Sequence, residues 1–274
     1  MKKLFLTLLL LSIPSLAMAE DDKAFNRVIS TGIINCGYGN YKPWIYADPL
    51  TGKVQGLMAE IMEGIAKELS LKLNWPDETG WANLPEALRT GKVDVACSTM
   101  WRDPSRSKML SFTRPIFYTS MHAYVRADDK RFKGKSINEI NNANVSIVVQ
   151  DGDYSSQIAE RSFPLAKTID LPQMASEADK LTNVATGKAD VVFSDNLMIE
   201  GFNENNEKKL KRIPFEHPLA VYANVIPVSI DELKLKEMLD STIAYMHDTG
   251  KIEQITKEFR QKNPQSIILP KSDY

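Results

Sequence analysis

Thr90-Gly91-Lys92-Val93-Asp94-Val95-Ala96-Cys97-Ser98-Thr99 returns ninety-six residues later as Thr186-Gly187-Lys188-Ala189-Asp190-Val191-Val192-Phe193-Ser194-Asp195, with six of the ten positions identical. In each copy a glycine stops a helix pattern, and a short apolar run then ends in polar residues. That is the signature of a helix-to-strand turn feeding a buried strand. Repetition at this distance predicts two lobes of like construction. The plainer alternative is that Gly-Lys-x-Asp-Val is simply a common turn used twice. Ligands of open parallel sheets bind beyond the carboxyl ends of the strands. The repeat therefore predicts Ser98, Thr99, Ser194 and Asp195 on the two lips of one crevice.

The flanking sequence fits alternating strands and helices. Arg27–Asn35 reads as a first strand that breaks at Cys36-Gly37-Tyr38-Gly39. Ile61, Met62, Ile65, Ala66 and Leu69 then recur at helical spacing, and Leu71, Leu73 and Trp75 alternate as in a half-buried strand. Leu84 to Leu88 opens another helix, and Val93–Cys97 is a short buried strand. This order predicts a parallel sheet with crossover helices. Val145–Asp151 echoes the first strand more loosely, and two amphipathic helices on either side of Gly250 follow the return segment Leu219–Pro227.

The amino terminus reads as a secretory signal peptide. Lys2 and Lys3 precede an apolar run through Leu16, and Ala17-Met18-Ala19 gives the small-x-small cleavage pattern. The run is shorter than the roughly 20 residues that span a bilayer, and no cysteine follows it. Cleavage after Ala19 removes two of 34 basic residues and leaves 32 against 35 acidic ones, a net charge of −3. A soluble exported protein, in a bacterial periplasm, is expected. The charge gives no pull toward nucleic acid, and two cysteines with three scattered histidines give no metal-binding cluster. No nucleophile elbow, zinc-protease motif, phosphate loop or dinucleotide fingerprint occurs, so the sequence offers no catalytic, metal or cofactor site.

Binding residues are easier to name. Tyr41 and Trp81 follow strand ends and suit an apolar face for a small ligand, whereas Trp44 suits packing between helix and sheet. Arg102, Arg106 and Arg114 follow Ser98-Thr99 closely, and an arginine there can grip a carboxylate with two parallel hydrogen bonds. A surface ion pair with Asp103 is the plainer role for any one of them.

Together, Tyr41-Lys42-Pro43-Trp44, Gly56-Leu57-Met58-Ala59-Glu60, Ser98-Thr99 with Arg106, and Ser111-Phe112-Thr113-Arg114-Pro115 resemble the family 3 extracellular solute-binding proteins, periplasmic amino-acid receptors of ABC importers. The resemblance spans nearly all of residues 27–260 and includes Asp248-Thr249-Gly250-Lys251-Ile252. It implies an α/β, two-lobed type II periplasmic-binding-protein fold. Each lobe would be a mainly parallel sheet flanked by helices, with the ligand cleft between them. The family's carboxylate-binding arginine falls on Arg106, its polar strand-end groups on Ser98 and Thr99, its ammonium-binding aspartate on Asp195, and its stacking aromatics on Tyr41 and Trp81.

Several positions depart from the family pattern. The acids after the glycine motif reduce to Glu60, and Trp101 replaces a small hydroxyl residue. The carboxylate-binding Gly-Thr-Thr loop reads Gly152-Asp153-Tyr154. An acid beside a ligand carboxylate is repulsive, so Asp153 either points away or meets a further positive group. No acid lies near Tyr38, where receptors for basic amino acids often carry one.

The expected organisation is a signal peptide at 1–19, one lobe from 20–118 and 219–274, and a second from 119–218. Crossings are expected near Phe117–Ala123 and Glu216–Tyr222. The expected partners are a small zwitterion and the membrane subunits of an ABC permease, with the receptor a monomer. A cyclohexadienyl dehydratase-like enzyme, with Glu60, Asp153 or His122 as general acid, and an exported sensing module are the rival readings. Cys36 and Cys97 end neighbouring strands. A bridge is possible there, but two buried thiols are the favoured expectation, because a same-face pair across regular strands fits disulfide geometry poorly.

Overall fold

The computed structural model describes residues 22–76, 78–81, 83–151, 153–262 and 266–270. The signal-peptide reading of residues 1–19 and Gly152 of the Gly-Asp-Tyr turn lie outside them.

The chain opens with α1 (Lys23–Thr31), β1 (Ile33–Gly37), the hairpin β2 (Tyr46–Ala47) and β3 (Val54–Gln55), α2 (Leu57–Glu68) and β4 (Lys72–Asn74). Next come α3 (Leu84–Arg89), β5 (Val95–Ala96), β6 (Met100–Trp101), β7 (Leu110–Phe112) and the long β8 (Phe117–Arg126). The middle of the chain forms β9 (Ser146–Gln150), α4 (Tyr154–Ser162), β10 (Lys167–Leu171), α5 (Glu177–Ala185), β11 (Val192–Ser194), α6 (Asn196–Asn205) and β12 (Leu210–Arg212). It returns through β13 (Ala220–Val225) and β14 (Pro227–Ser229) to α7 (Leu233–Asp248) and α8 (Lys251–Lys262).

The segment Arg27–Asn35, expected as one strand, is divided. Its first half completes α1, which buries Ala24 and Val28 four residues apart. Gly32 then ends the helix in the left-handed region at φ 71°, and only Ile33 onward is strand.

β4, β1 and β5 make a parallel sheet. Its core joins Ile34, Ile61 and Ile65 to Val228, Leu239 and Ile243, so the two ends of the chain share one cluster. β9 and β10 pair in parallel, and Ile147 and Val149 pack with Ile158 and Phe193 in a separate cluster. Between them runs an antiparallel sheet, β11-β8-β13-β6 with β12 also on β8, which the strand pattern had not predicted. The chain passes from one core to the other along β8 and back along β13. These two strands pair from Phe117↔Asn224 to Met121↔Ala220. The second crossing strand, β13, overlaps the expected Glu216–Tyr222 at Ala220–Tyr222.

The repeat is physical. In the first copy Gly91 N–H donates to Leu88, and both Lys92 and Val93 donate to Ala87. In the second copy Gly187 donates to Val184, and both Lys188 and Ala189 donate to Asn183. The shared aspartates also match. Asp94 Oδ2 accepts Asn35 N–H at 2.8 Å, and Asp190 Oδ2 accepts Ser146 N–H at 2.9 Å. Each carboxylate also meets an arginine, Arg27 and Arg126 respectively. The conserved spelling is thus a device that ties a strand's entry to its neighbour.

Cys36 and Cys97 form a disulfide, correcting the expectation of two thiols. Cys36 lies opposite Val95 in the ladder, and Cys97 follows the last residue of β5. The pair is therefore not a regular cross-strand pair, and its Cα atoms are 5.3 Å apart, inside the range a bridge accepts.

Candidate functional site

A cavity of about 370 Å³ lies where the two α/β units meet. Each copy of the repeat sends one residue into it. Thr99 and Asp195 line the cavity, whereas Ser98 and Ser194 are fully buried behind it. Successive residues of an extended chain point to opposite sides, so only one of each expected pair can face a ligand. Ser98, expected at the ligand, instead accepts Gly39 N–H at 3.2 Å and fixes the loop after β1.

That loop carries the aromatics. Tyr41 pairs with Ile45 in a tight turn, and Trp44 is buried and stacked on Phe117 at 5.5 Å. The Gly56-Leu57-Met58 motif holds this turn from below. Met58 N–H donates to the Trp44 carbonyl at 2.8 Å. Gly56 has φ 109°, and a Cβ there would lie 2.7 Å from the Pro43 and Trp44 carbonyl oxygens. The Trp81 ring lies against Gly39 and meets Tyr41 edge to face at 5.9 Å.

Asp195 is the N-cap of α6 and accepts Met198 N–H at 3.0 Å. Tyr41 Oη–H and Trp44 Nε1–H, from the opposite unit, both donate to its Oδ2 at 3.3 Å. Trp44 thus packs as expected and also presents a polar edge to the site. Leu197 and Met198 pack into the first unit's core, so the cleft is closed. Asp195 is only 2% exposed, and burial pushes its carboxyl up to about 6 despite these donors.

Arg106 lines the cavity from the other unit. It sits in a short 3-10 turn, with Nε 3.7 Å from Asp103 and a terminal nitrogen 3.8 Å from the Met100 sulfur. Its ion pair is long and single, so the guanidinium keeps donors for a ligand carboxylate. Arg102 also lines the cavity but donates to the Thr113 carbonyl at 2.9 Å.

Asp153 faces the cavity and is neutralised within its own unit. It caps α4 by accepting Ser155 N–H at 2.6 Å, and Lys180 Nζ lies 2.6 Å from its other oxygen. Tyr154 donates to the Phe193 carbonyl at 3.2 Å. Its ring meets Trp101 at 4.3 Å, and Trp101 stacks on Tyr222 at 4.5 Å. Trp101 therefore closes the aromatic wall.

Three participants were missed from the sequence: Tyr222, Glu177 and Lys180. Lys180 has no solvent exposure and bridges Asp153 and Glu177, Nζ lying 2.6 Å from each. The signal was present, because Lys180 adjoins Leu181 and stands four residues before Val184 on the apolar face of α5. Two of the three rival general acids lie elsewhere. Glu60 is exposed on α2, and His122 is buried in β8 away from the cavity, its pKa pushed down to about 4 by burial.

The profile of the bacterial extracellular solute-binding proteins, family 3, matches residues 33–262. The chain belongs to that family. Among its relatives, the amino-acid-binding protein AabA of Dichelobacter nodosus is 25% identical over 81% of this chain and 85% of its own length. The L-cystine-binding protein TcyA of Bacillus subtilis is 23% identical over 88% and 86%. Two crystal structures share the fold. The ancestral amino acid-binding protein AncCDT-1, described as a precursor of cyclohexadienyl dehydratase, superposes with a TM-score of 0.73 at 23% identity, covering 85% of this chain and 97% of its own. The amino acid ABC transporter substrate-binding protein AbpA of Streptococcus pneumoniae, bound to L-arginine, gives 0.71 at 22%, covering 85% and 96%. The architecture is accordingly the type II periplasmic-binding-protein fold.

Proposed function

We propose that this solute-binding protein is a periplasmic receptor that closes on an amino acid or a similar small zwitterion and delivers it to an ABC permease. The observation that carries the reading is the placement of Arg106 and Asp195 on opposite sides of one cavity. A carboxylate on Arg106 and an ammonium on Asp195 would span the cleft and hold it shut. Thr99 is a further polar contact, Tyr41 and Trp81 cover the ligand, and Asp153 and Tyr154 complete the second wall. Relatives named for binding amino acids and cystine support the ligand class. The signal-like residues 1–19 support export, with lobes at 20–118 plus 219–274 and at 119–218 acting as a monomer.

The dehydratase alternative has less to stand on. Of its three candidate acids only Asp153 reaches the cavity, and there it is engaged by Lys180 Nζ at 2.6 Å. A thermal-shift screen against the amino acids and polyamines tests the reading, followed by turnover assays on prephenate and arogenate. Stabilisation by at least one amino acid without turnover is expected. Turnover, or no response to any amino acid, overturns it.

A further inference from the structure

The second wall of the cavity carries more negative than positive charge. Asp153, Glu177 and Asp195 all line it. Lys180 places its one charge between Asp153 and Glu177, and the donors to Asp195 are the neutral Met198, Tyr41 and Trp44 groups. A zwitterion's ammonium would answer Asp195 and its carboxylate would answer Arg106. Glu177 would then remain unmatched.

Glu177 carries a second, independent sign of a missing partner. Its Oε1 meets Lys180, but its Oε2 is out of contact with solvent and has no hydrogen-bond partner among the described residues. A buried carboxylate oxygen with no donor is costly, and native structures rarely leave one unmet. Burial also pushes the Glu177 carboxyl above its ordinary range, as expected for a charge that lacks full compensation. Its field reaches Tyr41 across the cleft and Tyr154 beside it, and both aromatic residues line the same cavity. Those rings suit a cation as well. Lys180 already lies 4.9 Å over the Tyr154 ring.

We propose that Glu177 reads a positive charge on the ligand's side chain, so that this receptor selects diamino or guanidino acids over their neutral isosteres. The proposal rests on the amino-acid reading above and adds the substrate class to it.

Titration calorimetry compares L-arginine with L-citrulline, and L-lysine with L-norleucine, on the mature protein. Each pair differs mainly in side-chain charge. The charged member should bind at least about 30-fold tighter, because a desolvated ion pair is at stake. In Glu177→Gln that preference should shrink to about threefold or less, the size of an exposed charge effect. Citrulline should bind the variant about as well as the parent. Neutral isosteres that bind the parent as tightly as charged ones overturn the proposal and leave the amino-acid reading standing. A preference that survives Glu177→Gln overturns the role of Glu177. Failure of every amino acid, charged or neutral, overturns both. Should Glu177→Gln not fold by circular dichroism, the parent comparison still decides the ligand's charge, and Glu177→Asp decides the residue. Withdrawing the carboxylate by one methylene should weaken arginine and leave citrulline unchanged; equal affinity for arginine in parent and Glu177→Asp overturns the assignment.

Discussion

Replacing Asp195 by asparagine isolates the charge that the cleft offers to an ammonium. Asparagine is nearly as good an N-cap as aspartate, and its carbonyl oxygen can keep the 3.0 Å bond from Met198 N–H, so α6 should persist. Two changes remain. The amide nitrogen cannot accept from Tyr41 and Trp44, which removes two cross-cleft bonds worth about 1 kcal/mol each. The ligand's ammonium also loses the carboxylate offered by a residue 2% exposed. Truncating one member of a buried charge pair costs roughly 2–5 kcal/mol. At about 1.4 kcal/mol per tenfold, the dissociation constant should rise on the order of 30- to several-thousand-fold. Calorimetry with the best amino acid from the screen, and with its deaminated analogue, separates the two contributions. The analogue should lose only the share due to the cross-cleft bonds, while the amino acid loses both. A parent and variant that differ by about threefold or less, with intact circular dichroism, would refute the assignment, because that is the scale of an exposed charge.

Three further outcomes follow from the same structure. Asp195 has a carboxyl raised to about 6 from an ordinary 3.8, so folding favours its protonated form relative to the unfolded chain, although the carboxylate predominates above pH 6. The stability it contributes is full below about pH 4 and is lost as pH rises through 6, whereas affinity for an ammonium needs the charged form. Affinity should therefore fall by up to about tenfold per unit as pH drops below 6, measured by calorimetry from pH 7.5 down, and Asp195→Asn should flatten this slope. Opening the Cys36–Cys97 bridge, which closes a separation of 61 residues, should cost about 4 kcal/mol by the loop-entropy relation. Guanidinium unfolding of the oxidised and reduced protein reads this directly, and equal midpoints would contradict it. Gly56→Ala should destabilise by roughly 2 kcal/mol, because it forces a side chain at φ 109° against two carbonyls. It should also weaken ligand binding through the displaced Tyr41–Trp44 turn; an unchanged melting temperature and affinity would remove Gly56 from that role.

What could be read from the sequence follows from how local each feature is. The repeat was legible because its hydrogen bonds lie within a few residues of the glycine, and Asp94 and Asp190 do the same work in both copies. α2 was legible for the same reason, since its buried positions alone set its period. The antiparallel sheet was not, because β8 and β13 are about a hundred residues apart and neither alternates cleanly; β8 is buried along nearly its whole length. The disulfide was not legible, because a regular ladder pair would fit bridge geometry poorly and only the structure shows Cys97 lying just beyond the ladder's end. At the site, the sequence pointed to Asp195, directly after a strand, and to Arg106, in the 3-10 turn that follows β6. It could not single out Glu177. A glutamate in the first turn of a helix, one residue after an N-cap serine, has an ordinary local explanation in the helix dipole. The helix itself sets Lys180 against it three residues on, and only the fold brings Asp153 and Tyr41 near. The bland local reading and the binding role are therefore compatible, and what separates them is the unpaired Oε2 in a wall with too few cations.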